Sequence, residues 1–89
     1  MDKISVIVPC FNEDAMIDIF YSEFTAVMLR MNNVEFELIL INDGSKDRTY
    51  QKILSLAEKD DRVKYISFSK NFGKEAAMLA GINYVRIHL

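Results

Sequence analysis

Phe36-Glu37-Leu38-Ile39-Leu40-Ile41 is apolar at five of six positions and stops at Asn42-Asp43-Gly44. A short run of that composition, closed by turn formers, reads as a β-strand buried on both faces. Upstream, Ile4-Ser5-Val6-Ile7-Val8 has the same character and stops at Pro9. Downstream, Val63-Lys64-Tyr65-Ile66-Ser67-Phe68 alternates more and stops near Ser69. Between the first two runs, Ile17, Phe20, Phe24, Val27 and Met31 recur at helical spacing, which predicts a helix from about Asp14 to Met31. Tyr50, Ile53, Leu54 and Ala57 predict a second, from about Asp47 to Lys59. Ala76, Leu79, Ala80 and Asn83 predict a third. Val85, Ile87 and Leu89 alternate with Arg86 and His88, so the tail reads equally as a short strand.

The pattern is βαβαβα. Strands joined through helices run parallel with right-handed crossovers. The expected fold is therefore α/β and Rossmann-like: a three-stranded parallel sheet of order 3-2-1 with helices on both faces. In that order the first strand lies at an edge, yet its composition is that of a buried central strand. Edges are normally blunted by charge or proline, and here only Pro9 does so, at the far end. The chain reads as one domain over residues 1–89, truncated from a larger α/β sheet. It is expected to self-associate through that first-strand edge as a homo-oligomer.

Composition removes several classes of function. The chain has 89 residues, 51% of them hydrophobic, enough for one core and too apolar for disorder. Eleven Lys+Arg against thirteen Asp+Glu leave no basic stripe for nucleic acid. No apolar run approaches the roughly 18 residues of a membrane span, and Met1-Asp2-Lys3 does not begin a secretory signal. A single cysteine, Cys10, fits a reducing cytoplasm. A single histidine, His88, argues against a zinc site or a Ser-His-Asp triad within the chain. There is no G-x-G-x-x-G, no G-x-x-x-x-G-K-[ST] and no C-x-x-C.

Open parallel sheets bind ligands outside the carboxyl ends of their strands. Three polar clusters fall there: Pro9-Cys10-Phe11-Asn12-Glu13, Asn42-Asp43-Gly44-Ser45-Lys46-Asp47 and Ser69-Lys70-Asn71-Phe72-Gly73-Lys74. Each opens a helix, whose N–H groups and positive dipole end favour phosphate. The plainer reading is structural: Asn12, Ser45, Asp47 and Asn71 as N-caps, Gly44 and Gly73 as turn residues, Lys70 and Lys74 as solvated lysines. Asp43 has no evident capping task, since the next helix starts some residues later. Its neutralisation to Asn is expected to leave stability nearly unchanged. A carboxylate there, beside the Phe11 ring, suits a nucleobase. Cys10 reads as a wall residue and not a nucleophile.

The three clusters, in this order, resemble the opening motifs of family 2 glycosyltransferases of the GT-A fold. The third, Ser69-Lys70-Asn71-Phe72-Gly73-Lys74-Glu75-Ala76-Ala77, is most similar to the branch acting on polyprenyl phosphate, which includes dolichol-phosphate mannose synthase-like and bactoprenol glucosyltransferase-like members. The resemblance runs to about Val85. It implies a nucleotide-binding half that takes a UDP- or GDP-linked sugar. The residues it assigns to the nucleotide are Pro9, Cys10, Phe11, Glu13, Asp43, Gly44, Ser45, Lys70, Gly73 and Lys74, with Asp43 bonding the base. Asn42 and Arg48 stand where many members have Asp and Gly.

The same resemblance implies a parent enzyme that uses Mg²⁺ or Mn²⁺ and passes a hexose to polyprenyl phosphate or a glycan of the cell envelope. Such an enzyme would sit in the cytoplasm, at the inner face of the membrane. The Asp-x-Asp metal motif and the catalytic base are not in this sequence, so the chain alone is expected to bind and not to transfer. Two rivals stand beside this reading. One is a non-catalytic nucleotide-binding or assembly module using the same rim. The other, a receiver-like domain, wants a phospho-acceptor Asp after the third strand, where Ser69-Lys70-Asn71 stands.

Overall fold

The computed structural model describes residues 2–88. Element order is β1 (Asp2–Cys10), α1 (Asp14–Leu29), β2 (Val34–Asp43), α2 (Thr49–Lys59), β3 (Val63–Phe68) and α3 (Lys74–Ile87). The strands form one parallel sheet in the order β1-β2-β3, the expected 3-2-1 order counted from the other edge. Registers are Val6↔Leu38 between β1 and β2 and Leu40↔Tyr65 between β2 and β3.

Helices cover both faces, as the doubly apolar β2 requires. Side chains of even-numbered β2 residues, with Val6 and Val8 of β1, pack on one face with Ile17, Phe24, Ile53 and Leu56 of α1 and α2. Ile39, Ile41 and Ile7 pack on the other face with Ala77, Tyr84 and Val85 of α3. Gly81 lets α3 settle on β1, because a Cβ there would lie 2.5 Å from Ile7 Cγ2.

Element ends depart from the sequence reading for identifiable reasons. The first helix stops at Leu29 and not Met31, with Arg30 as its C-cap and Asn33 at φ +62° turning the chain into β2. The second helix starts at Thr49 and not Asp47, because Asp47 Oδ1 accepts the Thr49 N–H at 2.9 Å from outside the helix. The tail is helix to Ile87: the His88 N–H bonds Tyr84 O at 3.1 Å, and Val85 is drawn onto the Ile39–Ile41 cluster. Leu89, the last residue of the alternating tail, lies outside the described residues.

One polar cluster ties α1 to the α2–β3 turn. The buried Asp60 carboxylate accepts the Tyr21 hydroxyl at 2.6 Å and Arg62 Nε and Nη2 at 2.8 and 2.6 Å. Arg62 also contacts Met28 Sδ and lies 6.0 Å from the Phe24 ring centre. The Arg62 hydrogen bonds hold the Asp60 carboxyl well below the ordinary carboxylate range. A depressed folded-state value contributes stability that is present above the unfolded value, about 3.9, and is lost as pH falls through the folded value. Thermal melts between pH 7 and pH 2 should therefore show a steep fall below about pH 4. Asp60→Asn should flatten that fall and cost about 2 kcal/mol at pH 7, the worth of hydrogen bonds to a charged group. In a domain of this size that is roughly 8–16 °C in Tm. An unchanged acid limb in the variant would refute the assignment.

Candidate nucleotide site

The carboxyl ends of β1 and β2 and the loop into α3 enclose a cavity of about 250 Å³. Its wall is formed by Pro9, Cys10, Phe11, Glu13, Asp43, Asn71, Gly73 and Lys74. Seven of the ten residues expected at the nucleotide are thus brought together. Gly44, Ser45 and Lys70 are not in the wall and do other work. Asn71 is a wall residue outside the expected set. Its signal lies in its place as the last polar residue before Gly73, where it reads from the sequence as a helix cap.

Cross-bracing between loops fixes the rim. Asn12, at φ +49°, donates its N–H to Ser45 Oγ at 3.0 Å and accepts the Lys46 N–H on Oδ1 at 2.8 Å. Asn is among the residues that tolerate this left-handed conformation. The Glu13 N–H goes to Thr49 Oγ1 at 2.9 Å and the Asp14 N–H to Asp47 Oδ2 at 3.3 Å. Hydrogen bonds from Thr49, foremost from its hydroxyl, lower the Asp47 pKa. Asn42 spans the same corner: its Nδ2 donates to Ser67 Oγ at 3.0 Å and its Oδ1 accepts the Ser45 N–H at 3.2 Å.

These bonds correct two expectations. The N-cap positions of the three helices are Glu13, Arg48 and Gly73, and none makes a side-chain cap bond. Asp47, expected as a cap, does accept the Thr49 N–H that opens α2, from one position ahead of the cap residue, while the N–H groups entering α1 and α3 are taken by side chains of neighbouring loops. At α1 the N–H groups of Glu13 and Asp14 are thereby committed to Thr49 and Asp47. The α3 N-terminus, entered through Gly73 and Lys74, borders the cavity opposite Glu13, the N-cap of α1.

The second correction concerns Asp43. Read from the sequence it has no capping task, yet the structure makes it the clamp of the β3–α3 loop. Its Oδ1 accepts the Phe72 N–H at 2.8 Å. Its Oδ2 accepts the Gly73 N–H at 3.0 Å and Asn71 Nδ2 at 3.0 Å. Asn71 Nδ2 also donates to the Asp43 carbonyl at 3.1 Å. The residue is only 2% exposed. Asp43 walls the cavity as a carboxylate that already accepts three hydrogen bonds, so its removal is expected to be costly. Sequence reading missed this because the partners lie 28–30 positions away and approach only when β3 pairs with β2.

The other wall residues divide by chemistry. Phe11 is 43% exposed, so its ring is available to stack. Glu13 Oε1 accepts the Phe11 N–H at 3.3 Å, which holds the ring beside the carboxylate. Lys74 is exposed and brings a cation to the α3 end of the cavity. Cys10 is fully buried, and burial pushes its thiol up to about 12, with Glu13 adding to the effect. It is a wall and not a nucleophile. Lys70, outside the wall, lies 5.2 Å over the Phe72 ring.

The acids at the cavity are Glu13 and Asp43, the latter already accepting three N–H bonds. Among the described residues no group of three or more His, Cys, Asp or Glu side chains is placed to hold a metal ion. The residues present do not fit the divalent ion that the family resemblance implies. No helix among the described residues is long and apolar enough to cross a membrane.

Comparison with known proteins agrees with the geometry. The profile described as Glycosyl transferase family 2 matches residues 5–86. A prophage bactoprenol glucosyl transferase homolog of Escherichia coli (strain K12) is 45% identical over 92% of this chain and 26% of its own length. The bactoprenol glucosyl transferase of Shigella phage SfV is 44% identical over 92% of this chain and 26% of its own. CsbB of Bacillus subtilis (strain 168), named as a glycosyltransferase, is 45% identical over 93% of this chain and 25% of its own. The chain spans about a quarter of the length of the curated relatives it matches. With a profile covering nearly all its residues, and with the three motif loops meeting at one rim, the chain belongs to glycosyl transferase family 2.

Proposed function

We propose that this chain is the nucleotide-binding half-domain of a hexosyltransferase. The whole enzyme would pass a hexose from a UDP- or GDP-linked sugar to polyprenyl phosphate or a glycan. It would work in the cytoplasm, at the inner face of the membrane, through segments outside this sequence, with Mg²⁺ or Mn²⁺ held by residues also outside it. The observation that carries this reading is the cavity at the carboxyl ends of β1 and β2, where Phe11, Glu13 and Lys74 converge.

Each wall residue has a task there. The Phe11 ring stacks on the base. Glu13 accepts a base N–H. Lys74 and the N–H groups of the first turn of α3 meet phosphate charge. Asp43 holds the loop that carries Asn71, Gly73 and Lys74, and so sets the width of the slot. A volume of about 250 Å³ falls below the roughly 300–1,000 Å³ of sites that enclose a drug-sized ligand. It suits a base and part of a ribose, not a whole nucleotide sugar. The names of the bactoprenol glucosyl transferases among the relatives support the polyprenyl acceptor.

Binding by this half alone should be weak. Without a metal bridge to the diphosphate, dissociation constants near millimolar are expected, about −4 kcal/mol. NMR titration with UDP and GDP should shift amides of Phe11, Glu13, Gly73 and Lys74. Added Mg²⁺ should change the affinity little, and no sugar should pass to polyprenyl phosphate. Phe11→Ala should abolish the shifts at unchanged Tm, since the ring is half exposed and base stacking contributes about 1–3 kcal/mol. Shifts mapping away from the cavity, micromolar metal-dependent binding, or turnover would each overturn the proposal.

A further inference from the structure

The turn that brings Phe11 and Glu13 to the cavity is pinned from the entry of α2. Three consecutive N–H groups leave it for side chains there: Asn12 to Ser45 Oγ, Glu13 to Thr49 Oγ1 and Asp14 to Asp47 Oδ2. Lys52 Nζ, one turn into α2, donates back to the Asp14 carbonyl at 2.8 Å. Glu13 is the middle of these residues and the N-cap of α1, with φ −125° and ψ +38°, outside the helical region. Its backbone is therefore placed by its partners and not by helix geometry.

Thr49 is the hub of the brace. Its hydroxyl donates to Asp47 Oδ1. A hydroxyl has one proton. With that proton directed at Asp47, a lone pair of Oγ1 is left for the Glu13 N–H, 2.9 Å away. Asp47 thus sets the hydroxyl rotor, and it also accepts the Thr49 N–H at 2.9 Å. Thr49 is fully buried, so water does not stand in for these bonds. The other brace of the turn is of a different kind. Glu13 Oε1 accepts the Phe11 N–H at 3.3 Å, longer than the roughly 2.7–3.2 Å usual for such a bond. A ligand N–H that reaches the carboxylate competes with it. The Thr49 bond is made to the main chain of Glu13 and persists whichever way the carboxylate turns.

We infer that Thr49 is a positioning residue of the nucleotide site: with its hydroxyl aimed by Asp47, it holds the Glu13 backbone so that the Phe11 ring and the Glu13 carboxylate face the cavity together. It acts through Glu13 and forms no part of the cavity wall. The inference rests on the function proposed above, in which those two side chains meet the base. A valine at 49 keeps the β-branched shape but sets a methyl group against the Glu13 N–H. A buried N–H without an acceptor is costly. The turn shifts to satisfy it, and the ring and carboxylate shift with it. A brace that served stability alone would lower Tm and leave the affinity of the folded chain unchanged.

UDP titration followed by NMR, well below the Tm of each variant, reads the difference. Thr49→Val should weaken UDP at least fivefold and speed exchange of the ligand-free Glu13 amide at least tenfold. Thr49→Ser keeps the hydroxyl and should bind within twofold of the parent, although it loses a buried methyl. Asp60→Asn lowers stability from the turn before β3, at the opposite end of the sheet, and should also bind within twofold. If Thr49→Val does not fold, Asp47→Ala, at a half-buried position, stands in: it frees the hydroxyl rotor and should weaken UDP at least threefold. Unchanged affinity in Thr49→Val, or in Asp47→Ala in its place, overturns the inference. So does an equal loss in Thr49→Ser and Thr49→Val, or a Glu13 amide whose exchange ignores Thr49→Val. A parent chain whose cavity amides UDP never shifts overturns the function proposed above and this inference with it, whereas parent binding that survives Thr49→Val overturns this inference alone.

Discussion

Gly44→Ala should all but abolish folding. Gly44 sits at φ +70° immediately after β2, and a Cβ built there would lie 2.2 Å from Lys70 C and 2.3 Å from Asn71 N. Both contacts are backbone, so no side-chain rotation relieves them. The left-handed conformation alone costs a non-glycine residue about 1–2 kcal/mol. Forcing the β3–α3 loop away adds the loss of the bonds that loop makes to Asp43. The sum reaches about 4 kcal/mol or more, the range reserved for such strain. The total stability of a domain this size is on the order of 5–10 kcal/mol. Circular dichroism melts should show a transition at least about 20 °C lower, or none. Gly73→Ala is the internal control. Gly73 also has a positive φ, +102°, but nothing lies within 4 Å of its Cβ position. It should cost only its conformational term. Equal effects of the two substitutions would show that close approach at Gly44 is not what matters.

Asp43→Asn should cost about 3 kcal/mol, roughly 12–24 °C in Tm. One of the two oxygens becomes a donor and faces an N–H already pointing at it. If the amide replaces Oδ1 it meets the Phe72 N–H; if it replaces Oδ2 it meets Gly73 N–H and Asn71 Nδ2. The remaining bonds lose their charge assistance. Nucleotide affinity should fall in the same variant, because Asn71, Gly73 and Lys74 lose their anchor together. Asn71→Ala separates the two effects. It removes the two Nδ2 bonds of an exposed side chain while leaving the Phe72 and Gly73 bonds in place, and should cost about 1–2 kcal/mol, less than Asp43→Asn. A Tm for Asp43→Asn within a few degrees of the parent, with affinity lost, would make Asp43 a base ligand alone and refute the clamp.

The two substitutions act at one corner, where the end of β2 meets the loop between β3 and α3. Gly44 admits the loop backbone, and Asp43 bonds it. That corner forms one side of the cavity, while the Asn12–Ser45–Lys46 bonds steady the other. Stability and binding are coupled here because the same hydrogen bonds serve both.

Fold class was legible in the order of residues. The apolar runs at Ile4–Val8, Phe36–Ile41 and Val63–Phe68, separated by helical periodicity, admit little but a parallel sheet with right-handed crossovers. Full burial of Leu38 to Ile41 follows from their composition. The rim was legible too, because strand ends followed by turn formers must gather at one side of such a sheet. What the sequence could not assign was the work of each rim residue. Asp43, Asn42, Ser45 and Thr49 are all short polar residues near helix starts, and local propensity treats them alike. Their partners are distant in the chain, and hydrogen-bond choice depends on distances of a few tenths of an ångström. Only the pairing of β3 with β2 brings the Phe72 and Gly73 N–H groups to Asp43. Only the β1–β2 register sets Asn12 against Ser45 and Lys46. Propensity and periodicity act over a few residues and fix elements and faces; donor–acceptor geometry across loops is a property of the assembled sheet, and it decided which polar residues hold the rim and which are left to meet a ligand.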